Sequence, residues 1–219
     1  MPSRCFATAR TTPPCPSSMN NFINDIKKEL HAYMNGVASA HARQTEDYRV
    51  NWGVELPRLV ELSDEIAENW NSNRPSEDTS LRALAQALWN ESTRECKILA
   101  CMLMPAEEMD EEVCDIWAEN IHTEEIATMF CMYLVQHLPY ASTKAYEWMA
   151  REEKMLQTCG FLTLCHIIRK YELSEDAEAE FLDQASASLD NKYAIKALQI
   201  YASQSEDKAR KVKKVADYL

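Results

Sequence analysis

Apolar residues recur at helical spacing along most of this chain. Leu81, Leu84, Ala85 and Leu88 make one stripe, and Ile98, Leu99, Met102 and Leu103 make another after a short break. Steps of three and four place each set on one face of an α-helix. The break from Leu88 to Lys97 therefore joins two helices as an antiparallel pair. Within it Ser92 and Glu95 stand at capping-box spacing, which predicts a hydroxyl accepting from a first-turn N–H and a carboxylate reaching back to the cap's own N–H. Pro105 stops the second helix.

The same periodicity continues on both sides. Phe22, Ile23, Ile26, Leu30 and Tyr33 predict a first helix that ends at Asn35-Gly36, with the glycine as a left-handed stop. A polar bridge follows over 37–50. Pro57 suits a first helical turn, and Leu59, Val60, Leu62, Ile66 and Trp70 carry that helix to about Asn71, ahead of a loop over 72–79. Helices are then predicted over Glu107 to Asn120, Thr123 to Leu138, Ser142 to Ala150, Glu153 to Lys170, Ser174 to Leu189, Lys192 to Ser203 and Asp207 to Leu219. The Glu153 to Lys170 segment is apolar on nearly every side, so it belongs inside the fold.

No run alternates with period two between turn residues, and the expected fold class is all-α. Helix pairs return every ~35–45 residues, within the range of two-helix repeats that stack into an α-α superhelix. A bundle gathered about one centre is the alternative. A superhelix has an inner curve, and function is expected on that concave face.

Composition narrows the chemistry. At 219 residues and 46% hydrophobic the chain can bury a large core without disulfides or metals. Its three glycines, Gly36, Gly53 and Gly160, cannot write a P-loop or a dinucleotide fingerprint. The eight cysteines contain no C-x-x-C and have no histidine at ligand spacing, so they read as small buried hydrophobes in a reducing compartment. No metal and no cofactor is expected. No uncharged apolar run is long enough to span a membrane, and a cytoplasmic location is expected. Residues 1–18 hold four of the eight prolines and no acid. They read as a disordered tail or an over-long start with Met19 as the natural one, and residues 19–219 as a single solenoid domain.

Net charge is −12 and unevenly spread. No lysine or arginine lies between Lys97 and Lys144, a stretch that carries Glu107, Glu108, Asp110, Glu111, Glu112, Asp115, Glu119, Glu124 and Glu125. A phosphate backbone is repelled there. The densest basic run is at the C-terminus, from Lys208 to Lys214, and reads either as a solvated terminal helix or as a phosphate contact.

Three segments carry a family likeness. They are Met34-Asn35-Gly36-Val37-Ala38-Ser39 leading to Tyr48-Arg49-Val50-Asn51-Trp52-Gly53-Val54 and Pro57-Arg58-Leu59; the Leu88-Trp89 to Glu95 junction; and Leu138-Pro139-Tyr140-Ala141-Ser142 with Cys159-Gly160-Phe161-Leu162. In their order and spacing, over about 19 to 215, the chain resembles the HEAT-like repeat DNA alkylation repair family, whose known members remove alkylated purines from DNA. The resemblance implies a HEAT-like solenoid and a duplex DNA partner. Active members carry a tryptophan shortly before a catalytic aspartate and an arginine in the next repeat. Here Glu124 falls at the aspartate and Asn120 at the tryptophan, with Trp117 nearly a turn earlier, and Leu156-Gln157-Thr158-Cys159-Gly160 supplies no arginine.

Such chemistry needs a carboxylate beside the positive charge that grows on the sugar, and an aromatic face for the base. Glu124 and Trp117 are the candidate catalytic residues on this reading. On the plainer one Glu124 is a solvated first-turn acid and Trp117 a core residue. Two functions follow: a DNA alkylation repair-like protein that binds DNA with an incomplete catalytic set, or a non-catalytic scaffold holding a protein partner on its concave face. A positive groove built from Arg49, Arg58, Lys144, Arg151, Lys211, Lys213 and Lys214 would favour DNA, and an acidic face a protein.

Overall fold

A computed structural model of the chain describes residues 16–39, 50–77 and 79–217. The main helices are α1 (Pro16–Ala32), α2 (Leu56–Glu68), α3 (Leu81–Trp89), α4 (Arg94–Leu103), α5 (Glu111–Glu119), α6 (Glu124–Tyr133), α7 (Ala141–Met149), α8 (Lys154–Lys170), α9 (Glu175–Ala187), α10 (Lys192–Ala202) and α11 (Glu206–Asp217). Among the described residues there is no strand, only an isolated bridge between Val50 and Thr93.

The even-numbered helices form one layer. Each packs on the next: α2 on α4, α4 on α6, α6 on α8, and α8 on α10. In the odd-numbered layer α3 backs α4, α7 backs α8 and α9 backs α10, while α11 closes the end against α9 and α10. Side chains stitch neighbouring repeats together. Arg82 of α3 pairs with Asp110, Tyr146 of α7 donates to the Ala177 carbonyl of α9 at 2.7 Å, and Lys211 of α11 meets Glu178 of α9 at 2.5 Å. This sequential two-layer stack is the expected solenoid, not a bundle about one centre. The even helices begin at Arg94, Glu124 and Lys154, so the middle repeats are 30 residues long, shorter than the sequence periodicity suggests.

Helix α8 is the spine of the stack. Leu156 and every residue from Thr158 to Cys165 are buried, as its all-round apolar sequence requires. Leu162 joins the core that reaches back to α1, while Phe161 and Leu164 join a second core formed with α9 and α10. Gly160 permits the close fit of α7: a Cβ there would stand 2.7 Å from the Ala145 carbonyl and the Met149 nitrogen. The caps are conventional. Ser80, Thr123, Ser174 and Asn191 each accept from an N–H of the first turn that follows them, and Pro57 lies in the first turn of α2.

Several predicted boundaries move. The first helix takes in Pro16 to Ser18, three positions the sequence assigns to the tail, while residues 1–15 of that tail lie outside the described residues. Gly36 is not a left-handed stop: it opens a short helical segment, and the positive φ belongs to Gly53 at 71°. A Cβ on Gly53 would lie 2.5 Å from the Asn35 carbonyl, so only glycine fits that loop. The helix expected over Thr123 to Leu138 breaks at Leu134 into α6 and a 3-10 turn, Val135–His137. The one expected from Glu107 splits likewise, into a 3-10 turn at Ala106–Glu108 and α5.

The predicted capping box is absent. Thr93, not Ser92, is the N-cap of α4, and Glu95 turns away from the cap. Fully buried, its carboxylate accepts from the Trp52 and Val54 N–H groups, each at 3.2 Å, and from Arg94. Backbone bonds from Val50 N to Ser92 O and from Arg94 N to Val50 O bring this loop alongside the junction. Glu95 is drawn to those loop donors because a buried carboxylate without partners is costly.

Candidate nucleic-acid interface

Most of the basic residues singled out in the sequence are engaged inside the protein. Arg58 on α2 bonds Glu29 at 2.9 Å, Glu65 at 3.0 Å and Glu61 at 3.2 Å, with its guanidinium 4.3 Å from the centre of the Tyr33 ring. The bond to Glu65 leads the contributions that raise its pKa above the ordinary arginine value. Lys144 on α7 is 5% exposed, with its ammonium 2.9 Å from both Asp115 and Glu147 and 3.6 Å from Glu111. Burial works against that charge, but Glu147 and Asp115 more than reverse it and the pKa rises. Lys211 is shared between Glu178 and Asp207. Arg151 is half-exposed, at 3.7 Å from Glu119 and 3.9 Å from Glu153. Lys213 and Lys214 are exposed on α11, and Arg49 lies outside the described residues.

The catalytic candidates also separate. Trp117 is buried at 3% exposure and stacks flat on Trp89, with centroids 4.3 Å apart and planes at 1°. Phe130 and Trp148 extend this aromatic ladder, and the Trp148 indole N–H donates to Asp115. Its place is the core between layers, as its position on the apolar stripe of α5 allows. Glu124 is half-exposed in the first turn of α6. Its carboxylate pairs with Lys192 of α10 and accepts from the Tyr193 hydroxyl at 3.3 Å. Thr158, in the segment that supplies no arginine, is buried and accepts from the Asn191 amide at 3.2 Å. A cleft of about 240 Å³ runs beside these groups, lined by Glu124, Lys154, Met155, Thr158, Asp190, Asn191 and Lys192.

A second set of cations was not singled out in the sequence. Helix α8 packs on α5, α6, α7 and α10 and is exposed only at its two ends. Arg169 and Lys170 are exposed in its last turn and His166 is half-buried. Helix α10 adds exposed Lys192 and Lys196, whose ammonium groups lie 5.2 and 5.9 Å from the Tyr193 ring centre, and exposed His137 follows α6. Lys170 donates to the Gln136 amide oxygen at 2.8 Å. Among the described residues no carboxylate pairs with Arg169 or Lys196. His166 registers the field of this cluster: burial, then the charges of Arg169, Lys170, Lys196 and His137, lower its pKa. Only the spacing of Lys192 and Lys196, four apart on one helix face, hinted at the patch. Arg169 and Lys170 belong to a different helix, and packing brings them beside it.

Buried thiols occur in both cores. Cys96, Cys101, Cys114, Cys131, Cys159 and Cys165 are all unpaired and buried, with desolvation raising Cys165 to about 11 and Cys96 to about 12. They fill the core as thiols. Among the described residues no three His, Cys, Asp or Glu side chains converge to hold a metal. No described helix is long and apolar enough to cross a membrane.

Comparison with known proteins fits this arrangement to a family. The pattern of the family described as DNA alkylation repair enzyme matches residues 23–207. The chain belongs to the DNA alkylation repair enzyme family. A solved structure, described as from a new family of proteins related to the HEAT-like repeat DNA glycosylases with affinity for branched DNA structures, has the same fold. It aligns with a TM-score of 0.74 over 89% of this chain and 81% of that one, at 13% identity. The two-layer stack of this DNA alkylation repair family member is thus a HEAT-like repeat solenoid. No curated protein matches the chain.

Proposed function

We propose that this protein binds DNA through the last turn of α8 and the exposed side of α10, which we assign to the inner curve of the superhelix, and that it does so without excising bases. The observation that carries the reading is the cluster of exposed Arg169, Lys170 and Lys196 around half-buried His166, with exposed Lys192 one turn before Lys196 on α10. Cations on adjacent helices suit a phosphate backbone, and among the described residues Arg169, Lys170 and Lys196 pair with no carboxylate. Family membership supports DNA as the partner, and the affinity attributed to the structural relative points to branched DNA as the preferred form.

Three features support binding without base excision. Trp117 is consumed by the core, no arginine stands in the 156–160 segment, and the Glu124 carboxylate is bonded to Lys192 and Tyr193. Glutamate also extends about one methylene beyond aspartate, and a misplacement on the order of 1 Å in a reacting group costs ~100-fold in rate. We place the protein in the reducing cytoplasm, a reading supported by its unpaired core cysteines.

The test measures binding of fluorescent duplex and four-way-junction DNA over a salt series, together with base release from duplex carrying an N-alkylated purine. Salt-sensitive binding that favours the junction, with no release by wild type or Glu124→Ala, is expected. Release by wild type that disappears in Glu124→Ala would replace this reading with a glycosylase. Absence of salt-sensitive binding to any of these DNAs would remove the DNA reading altogether.

A further inference from the structure

We infer that Glu124 masks the DNA-binding face of the free protein, occupying Lys192 with its carboxylate until a DNA phosphate takes its place. The inference rests on the DNA-binding reading above. Glu124 and Lys192 are 68 residues apart, and their ion pair spans from the first turn of α6 to the first turn of α10, past the α8 helix that lies between them. The Tyr193 hydroxyl adds a second α10 donor to the same carboxylate oxygen. The cleft beside this pair also holds Asp190, bonded to Lys154, and further along α10 Lys196 stands without a carboxylate among the described residues.

The adjacent acid shows what a structural ion pair looks like here. Glu125 receives two nitrogens of Arg94, at 2.8 and 2.5 Å, and that arginine side chain is 11% exposed while also bonding the Val54 carbonyl. The Glu125 pair is a strut, tied to a loop and a second helix. The Glu124 pair is open to water, with the two side chains 47% and 63% exposed. An exposed pair contributes about 0–1 kcal/mol, whereas a lysine–phosphate contact on DNA also releases a condensed counterion. Lys192 moreover lies in the first turn of its helix, where the backbone dipole favours an anion nearby. A carboxylate fills that role in the free protein, and a phosphate carrying full charge can exchange with it. Lys192 therefore meets DNA only by giving up the Glu124 pair, and Glu124 lowers the affinity.

The sign of this effect opposes that of a catalytic carboxylate, whose removal abolishes base release and leaves affinity unchanged. The test is fluorescence anisotropy with a four-way junction over a salt series, for wild type, Glu124→Gln, Lys192→Gln, the double variant, and Glu112→Gln as an exposed acid on the other layer. Melting temperatures establish that each variant is folded. Glu124→Gln is expected to tighten binding roughly three- to five-fold, with the slope of log affinity against log salt close to wild type because Lys192 meets a phosphate in both complexes. Lys192→Gln in the same chain removes the gain, and Glu112→Gln stays within about two-fold of wild type. A Glu124→Gln protein that binds like Glu112→Gln, or more weakly, overturns the mask while the DNA reading stands. Salt-sensitive binding by neither wild type nor Glu124→Gln overturns the DNA reading and the mask with it.

Discussion

On α5 and α7 the only lysine, Lys144, is buried among Glu111, Asp115 and Glu147, so that surface presents acid to solvent. On α8 and α10 the cations Lys154, Arg169, Lys170, Lys192 and Lys196 are exposed, and among the described residues Lys154 and Lys192 pair with acids while Arg169, Lys170 and Lys196 do not. Each surface joins two helices of adjacent repeats, the first in the odd-numbered layer and the second in the even-numbered layer. What differs is how each helix meets its neighbour. Between α5 and α7 the contact runs through side chains, with Asp115 of one helix holding both Lys144 and Trp148 of the other, so the charge of Lys144 serves cohesion. Between α8 and α10 the contact is the apolar core of Phe161, Leu164, Ala194, Ala197 and Leu198, which leaves the cations outside. A lysine of these repeats therefore stays at the surface only where packing has another means of joining the helices.

That contrast can be broken at its hinge. Gly160→Ala places a Cβ 2.7 Å from backbone atoms of α7, so α7 and α8 must part; a loss of about 3 kcal/mol is expected, seen as a lowered midpoint in urea unfolding. A wild-type midpoint would mean that the two helices do not depend on this close approach. Lys144→Met tests the cohesive role directly. Three acids lose their buried cation, and about 2 kcal/mol of stability should go with it, with junction DNA affinity unchanged at a temperature where the variant is folded. Weakened DNA binding with unchanged stability would reverse the roles of the two surfaces.

Arg169→Glu combined with Lys196→Glu examines the other side. About tenfold weaker DNA binding is expected, with a salt slope shallower by roughly two contacts and a melting temperature close to wild type. The smallest effect concerns His166. Its folded pKa lies below the unfolded value, so the unfolded chain binds more protons between the two; stability rises with pH across that window and is lost as pH falls through it. Melting temperature followed from pH 8 to pH 5 should therefore drop further in wild type than in His166→Gln, and parallel curves would remove His166 as a sensor of the cationic cluster.

Much of the fold was legible in the residues. The stripe from Leu81 to Leu88, the all-round apolar Glu153 to Lys170 segment and Pro57 located helices that are present, because helix periodicity and proline act over a few residues. Legibility failed where a distant segment competed for a group. Glu95 had the spacing of a capping residue, yet the loop at Trp52 to Val54 offered two backbone donors and took it. The site was less readable still. Lys144 and Arg58 looked available because their partners Asp115 and Glu29 belong to other helices, while Arg169 and Lys196 looked unrelated because they are 27 positions apart.

The amino-acid order by itself determined the helices, their pairing and the apolar faces that stack them, since each of these is settled within about one helix pair by periodicity, caps and short connections. Tertiary structure alone decided which charges are spent inside and which face solvent, and hence that Trp117 is core, that Lys144 is a strut and that Glu124 meets Lys192. An ion pair or a stacked ring depends on separation in space, and across neighbouring repeats that separation is set by how closely the helices approach one another.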